Sequence, residues 1–424
     1  MPSQSPTTLA ARRRARLRVL LDLARRMNGW SRQDLADRLG RDPTKLVPAS
    51  GNPKLDLVVA IAGALGWDPG DVVGELWAMS AEEERRATTD RADALDDLRR
   101  RGLAALGERR WDDVRWIATA LRTRNGAFDR GDRALADELE AAAWSGAGCH
   151  ATALAVARRA LSDGGLEFAG RLRLSLRLAM SNYELWHLVE ARAIASELLG
   201  ELTRRSVDDR LVRRTVAAAH AIRGHASRRL IGADPRRRRS HVGQACEDLA
   251  VAEREFLTLF DEFGDDADLG ASHLHRGGAL EARATGEDRA GEAVETIVDG
   301  LENAVDLDRL GPEETIEAHG WWCVFGCNLA LRGMAGERQE RCLAILTNKA
   351  FEIADRIEHW SIRERAFTFE HFRRQRIDET AEPAAEEWVL DEEDLGHVLG
   401  TMGRFPAFRP VGWRILESSG LVED

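Results

Sequence analysis

The segments "RRWDDVRWIATAL" (109–121), "CHATALAVARRAL" (149–161) and "HLVEARAIASELL" (187–199) align at offsets of 40 and 38 residues. Their apolar positions coincide: Val114 with Leu154, Ile117 with Ala157 and Ala195, and Leu121 with Leu161 and Leu199. Each follows another stretch of helical period, such as "RALADELEAAAWSG" or "GRLRLSLRLAMSNYELW". A lone helix pair cannot bury its apolar faces, so a pair repeated at this interval predicts a stack of helical hairpins, an α-solenoid. Looser pairs at about 207–256, 269–305 and 313–356 continue the rhythm. Nearly everything from Ala10 to His359 has helical period, and the expected fold is all-α.

Charge divides the chain differently. Residues 1–60 carry ten Arg and two Lys against five Asp and no Glu, giving them +7 and the other 364 residues −18. A basic head on an acidic body places any nucleic-acid contact at the N-terminus. Five cysteines without a CxxC pair fit a reducing cytoplasm. "ARRRARLRVLLDLARR" superficially matches a twin-arginine signal, but Arg18, Asp22 and Arg25 interrupt its apolar run. No stretch reaches about 18 apolar residues, so no membrane span is expected.

Within the head, Leu17, Leu20, Leu21, Ala24 and Met27 make one helix face that ends at Asn28-Gly29. Ser31 offers an N-cap, and Asp34 stands where a capping box has Glu, so a second helix spans Arg32–Leu39 and stops at Gly40. Asp42-Pro43 starts a third helix, which Pro48 limits to about Pro43–Val47. Asn52-Pro53 opens a fourth, with Leu55, Val58, Ile61, Ala62 and Leu65 on one side, and "GWDPGDVVGEL" carries a turn and a last short helix.

"WSRQDLADRLG" followed by "GNPKLDLVVAIAGALGWDPGDVV" resembles the Cro and phage-repressor type of helix-turn-helix, the XRE family, over roughly residues 15–76. The resemblance implies double-stranded DNA as partner. It puts Arg32, at the start of helix two, against a phosphate, and Thr44 and Lys45 on the recognition helix near base edges. Gln33, Arg41 and Lys54 complete the expected DNA-facing set, with Arg12, Arg13 and Arg14 along a phosphate strand or in a minor groove. Only twelve residues separate Gly40 from Pro53, about three fewer than the family pattern.

In the body, Ala153, Ala157 and Ala160, like Ala191, Ala195 and Leu198, have a spacing that resembles tetratricopeptide repeats, loosely over 90–356. A Cro-like head on such a body is similar to bacterial transcription regulators whose repeats sense a peptide and set the spacing of a DNA-binding dimer. That similarity implies a peptide or protein ligand on the concave face and a homodimer. The expected division is 1–78 for the head, 79–357 for the repeats and 358–424 for a capping segment. A second reading is a non-catalytic interaction scaffold whose head no longer reads DNA.

Other residues carry less. His319, Cys323 and Cys327 share a helix face, but i to i+8 spans about 12 Å, so core packing is expected and no metal. His273 and His275 point to different sides of a helix. "DPRRRRS" (234–240) reads as a solvated loop, and "ETAEPAAEEWVLDEEDLG" as an acidic connector before a short helix in "PAFRPVGWRILESSG". Paired carboxylates such as Asp265-Asp266 and Glu392-Glu393 lack a companion nucleophile, base or Gly-rich loop. No catalytic residue and no cofactor is expected.

Overall fold

In a computed structural model of the chain, residues 6–28, 30–43, 45–65, 69–77, 95–123, 130–162, 166–203, 209–304, 313–380 and 388–421 are described. The fold is all-α: the described residues form helices, turns and bends without a strand. They divide into two compact units, Met1–Asp93 and Ala94–Asp424. The expected boundary at 78 falls outside the described residues.

The first unit holds α1 (Pro6–Met27), α2 (Arg32–Arg38), α3 (Leu55–Leu65) and α4 (Pro69–Trp77). The capping box is formed: Ser31 Oγ accepts from the Asp34 amide, and the Asp34 carboxylate accepts from the Ser31 amide. Gly40, at φ 61°, ends α2 in the left-handed turn that glycine adopts without strain. Leu17, Leu20, Leu21 and Ala24 of α1 pack on Leu35, Ala36, Val58, Ile61 and Leu65 as the apolar pattern predicts. Leu55 differs: it is 72% exposed, and Leu57 takes the buried place instead, because α3 begins two residues after Pro53.

The third helix is not there. Among the described residues of this segment Lys45, Leu46 and Val47 form bends, and the Lys45 amide donates to the Asp42 carbonyl in a single turn at 2.9 Å. Pro48 withholds the amide that a following helical turn needs, and the Leu46 side chain is drawn into the core. The loop instead closes against α1: Gly51 sits at φ 71°, and a Cβ there would overlap the Ala10 carbonyl oxygen.

The second unit runs through α5 (Leu95–Gly107), α6 (Trp111–Thr123), α7 (Arg130–Gly146), α8 (His150–Ser162), α9 (Phe168–Glu184) and α10 (Leu188–Leu202). It continues with α11 (Arg210–Ala233), α12 (Arg238–Phe263), α13 (Asp266–Gly286), α14 (Ala290–Ala304), α15 (Glu313–Gly333), α16 (Gly336–Arg356) and α17 (Trp360–Thr380). The stack passes the expected boundary at 357, and α18 (Glu392–Arg404) and α19 (Arg409–Ser418) pack through Val398, Phe405 and Phe408 onto Phe367. "DPRRRRS" is not a loop: after a short 3-10 turn at Pro235–Arg237 it opens α12, with residues 235–240 exposed as a solvated run should be.

Consecutive helices pack antiparallel, and each odd-numbered helix also touches the next odd-numbered one. These helices form an inner layer and the even-numbered ones an outer layer. Most matched residues fulfil the repeat: Val114, Ile117, Leu121, Leu154, Ala157, Ala195 and Leu199 are buried, and Leu161 is half-buried. One turn geometry recurs. At Arg109, Gly148, Trp186, Asp288 and Glu358 the backbone is left-handed, and the following amide donates to the carbonyl five residues back at 2.8–2.9 Å. This closes a Schellman motif and starts the next helix within two residues.

Gly51→Ala is expected to destabilise the first unit by about 2 kcal/mol, through left-handed strain plus overlap with α1. The check is chemical denaturation of the first unit, followed by Trp30 fluorescence in a variant lacking the other tryptophans.

Candidate functional site

In the first unit the expected DNA-facing residues do not form one free set. The Arg32 guanidinium donates to the Pro43 carbonyl at 3.1 Å, so it braces the loop after α2. Gln33 donates to Asp37 at 2.9 Å, and Arg41 pairs with Asp56 on α3. Arg13 bonds the Asn52 side chain and Arg14 the Ala49 carbonyl, which ties α1 to the loop that closes on it. Lys45 and Lys54 are exposed on either side of that loop. Thr44 and the Arg12 side chain lie outside the described residues.

The second unit contains a feature the sequence did not announce. An open concave face was expected, but the stack curls until distant parts meet. The Arg109 guanidinium, in the turn after α5, lies 3.4 Å from Glu317 and 3.7 Å from Glu313 on α15. Arg404 on α18 donates to the Ala147 carbonyl at 2.9 Å. The concave side becomes a cavity of about 590 Å³, walled by α7, α9, α11, α13 and α15 and by the turns around Arg109, Gly148 and Glu358. Curvature does this: small residues on the inner helices let neighbours approach closely, as where Gly278 of α13 faces the His225 ring.

The wall combines aromatic rings (Trp111, Tyr183, Trp321, Phe325, Trp360) with ionisable groups. Glu317 receives Arg109 and, at 3.3 Å, His359. Burial alone would raise its carboxyl, but the hydrogen bonds and charge interactions with His359 and Arg109 outweigh that and hold it down at about 2. Beneath the wall Arg228 pairs with Glu281, both buried, and donates to Tyr183 Oη at 3.3 Å.

A donor chain fixes two histidine tautomers. Arg228 Nε–H donates to His225 Nδ1 at 3.3 Å, so the His225 proton is on Nε2, which meets His275 Nδ1 at 3.1 Å. His275 must then carry its proton on Nε2. Burial, then Arg228, pushes His225 well below its ordinary value, and burial pushes His275 down to about 3. Both rings are neutral. His275 is buried and His273 exposed, as their spacing predicts, but nothing in the spacing reveals the pair with His225.

Three wall groups are incompletely satisfied. His150 is 5% exposed with neither ring nitrogen hydrogen-bonded, and Glu184 is 6% exposed with Oε2 unsatisfied. Arg177 hydrogen-bonds the Ser145 hydroxyl at 3.4 Å and has Glu138 as its charged neighbour. Burial lowers both His150 and Arg177 below their ordinary values. Sequence patterning missed all three, because a polar residue at a helix start or on an inner helix looks like any solvated position until the stack curls around it.

Cys323 and Cys327 lie fully buried in the core as packing residues, and burial pushes the Cys323 thiol up to about 12. Among the described residues no group of three or more His, Cys, Asp or Glu is placed to hold a metal, and no helix is long and apolar enough to cross a membrane. No family model matches the chain, and neither a curated protein nor a solved structure matches it.

The histidine pair sets a pH dependence. An unfolded histidine takes a proton near 6.5 while His275 resists until about 3, so the unfolded state binds more protons between those values. Stability is expected to rise with pH across that window and to fall, by a few kcal/mol, as pH drops through it. Urea titrations at several pH values measure this, and His275→Gln should flatten part of the dependence.

The closing contact can be opened separately. Arg109→Asn keeps a residue tolerant of left-handed backbone and removes the cation. Hydrogen exchange is expected to speed up at 108–111 and 313–321, with α12 unchanged.

Proposed function

We propose that the chain is a DNA-binding transcriptional regulator of the XRE helix-turn-helix type whose helical-repeat body senses a ligand. The observation that carries this is the exposed basic edge formed by Lys45 and Lys54, beside a correctly capped α2 and a buried α3. The charge of +7 on residues 1–60 supports contact with phosphates, and the −18 on the other 364 residues disfavours DNA elsewhere. The peptide or protein ligand expected on the concave face narrows to a small one, because a cavity of about 590 Å³ suits a molecule of drug size rather than a protein segment. Control is by linkage: ligand in the body favours one homodimer arrangement, and heads about 34 Å apart fit successive major-groove turns. No catalysis and no cofactor belong to this reading, which places the protein in the cytoplasm.

The bends at 45–47 favour the competing reading, a scaffold whose head is a packed remnant. Without a recognition helix, base edges must be reached from the loop or left unread.

Purified full-length protein, incubated with random duplex DNA across a salt series and sequenced, separates the readings. The expected result is an enriched motif with two spaced half-sites. Lys45→Ala and Lys54→Ala should each lower the salt slope by about one. Arg32→Ala should weaken binding by loosening the loop it braces. Retention without enrichment would reduce the head to an electrostatic anchor, and no retention at low salt would establish the scaffold.

A further inference from the structure

Arg177 and Glu184 stand seven residues apart on α9, two helical turns and about 10 Å along its inner face. Both line the cavity, with Met180 and Tyr183 between them. Buried ionisable groups are ordinarily matched, because an unmatched one forfeits its hydration without recompense. Several in this body are: Arg228 has Glu281, Glu317 has Arg109 and His359, and Asp248 has Arg223 and His220. His371, away from the cavity, has an unsatisfied ring nitrogen, and within the cavity wall Glu184 and His150 have unsatisfied atoms side by side with Arg177.

The polarity of the wall is directional. Helices α6, α8 and α17 all begin in it, at Trp111, His150 and Trp360, and each contributes the positive end of its dipole. Together with Arg177 and the His150 ring they favour an anion. Glu184 favours a cation. The tryptophans and Phe325 offer apolar cover for whatever joins the two charges.

We infer that the cavity binds a small linear zwitterion, a dipeptide or an ω-amino acid, with its anionic end at His150 and Arg177 and its ammonium at Glu184. The spacing of Arg177 and Glu184 along α9 favours a molecule longer than a free α-amino acid, whose charges sit on one carbon. A volume of about 590 Å³ suits a short molecule better than an extended peptide. The ligand supplies the hydrogen bonds that His150 and Glu184 lack, and its bound form holds α8 and α9 to the turn at Glu358. This inference rests on reading the body as a sensor.

The test is native mass spectrometry of the full-length protein against a library of natural dipeptides and of three- to six-carbon ω-amino acids. The library is run free, N-acetylated and C-amidated, with inorganic phosphate and free phenylalanine as controls. Retention of free zwitterions, at least tenfold reduced by either cap, is expected. Glu184→Gln should abolish discrimination against the acetylated form while leaving the carboxylate requirement. Arg177→Met should do the converse, so each variant that folds reports one end. Equal retention of capped and free forms, retention of phosphate alone, or no retention overturns the inference. The library is read without DNA, and the duplex selection is read without the library. DNA binding without zwitterion retention therefore overturns only the ligand, and retention without DNA binding overturns only the regulator.

Discussion

A buried arginine and glutamate, Arg228 on α11 and Glu281 on α13, constrain how the middle of the body can pack. Neither charge reaches water, and each would be costly alone, so the two helices must lie side by side in one register. The network extends outward: Arg228 reaches Tyr183 of α9, and Arg332 of α15 donates to Thr285 at 3.0 Å and approaches Glu281 to 3.6 Å. Four successive inner helices are thereby joined through polar side chains beneath the cavity wall.

The all-α hairpin organisation was readable because apolar spacing is a local property. Val114, Leu154 and Ala195 announce a buried face wherever the neighbours lie, and Ser31 with Asp34 announces a cap within four residues. The turns were harder, since four of the five recurrent left-handed positions are Arg109, Trp186, Asp288 and Glu358 rather than glycine. A side chain at positive φ costs some strain, and the sequence gives no local sign that the surrounding helices impose it.

The parts that were not legible depend on contacts across long separations. Arg109 looks like one of many surface arginines until Glu317 arrives 208 residues later. His225 and His275, 50 residues apart, become a neutral pair only through helix packing. In the head, Pro48 was a readable limit on the third helix, but not the outcome. There the loop found better partners in α1, with Arg13, Arg14 and Gly51 all holding it in place. Residues that charge alone assigns to a phosphate are thereby engaged with backbone and amide groups.

An open solenoid has two free ends, and its terminal hairpins fray first because each is held from one side only. Contacts from Arg109 to α15 and from Arg404 to the α7–α8 turn give this body's early hairpins a second neighbour. Losing one hairpin then also releases its distant partner, so melting proceeds as a single event instead of peeling inward. Arg109 and Gly148, at these two contacts, both line the cavity, so the seams that tie the ends together also shape its wall.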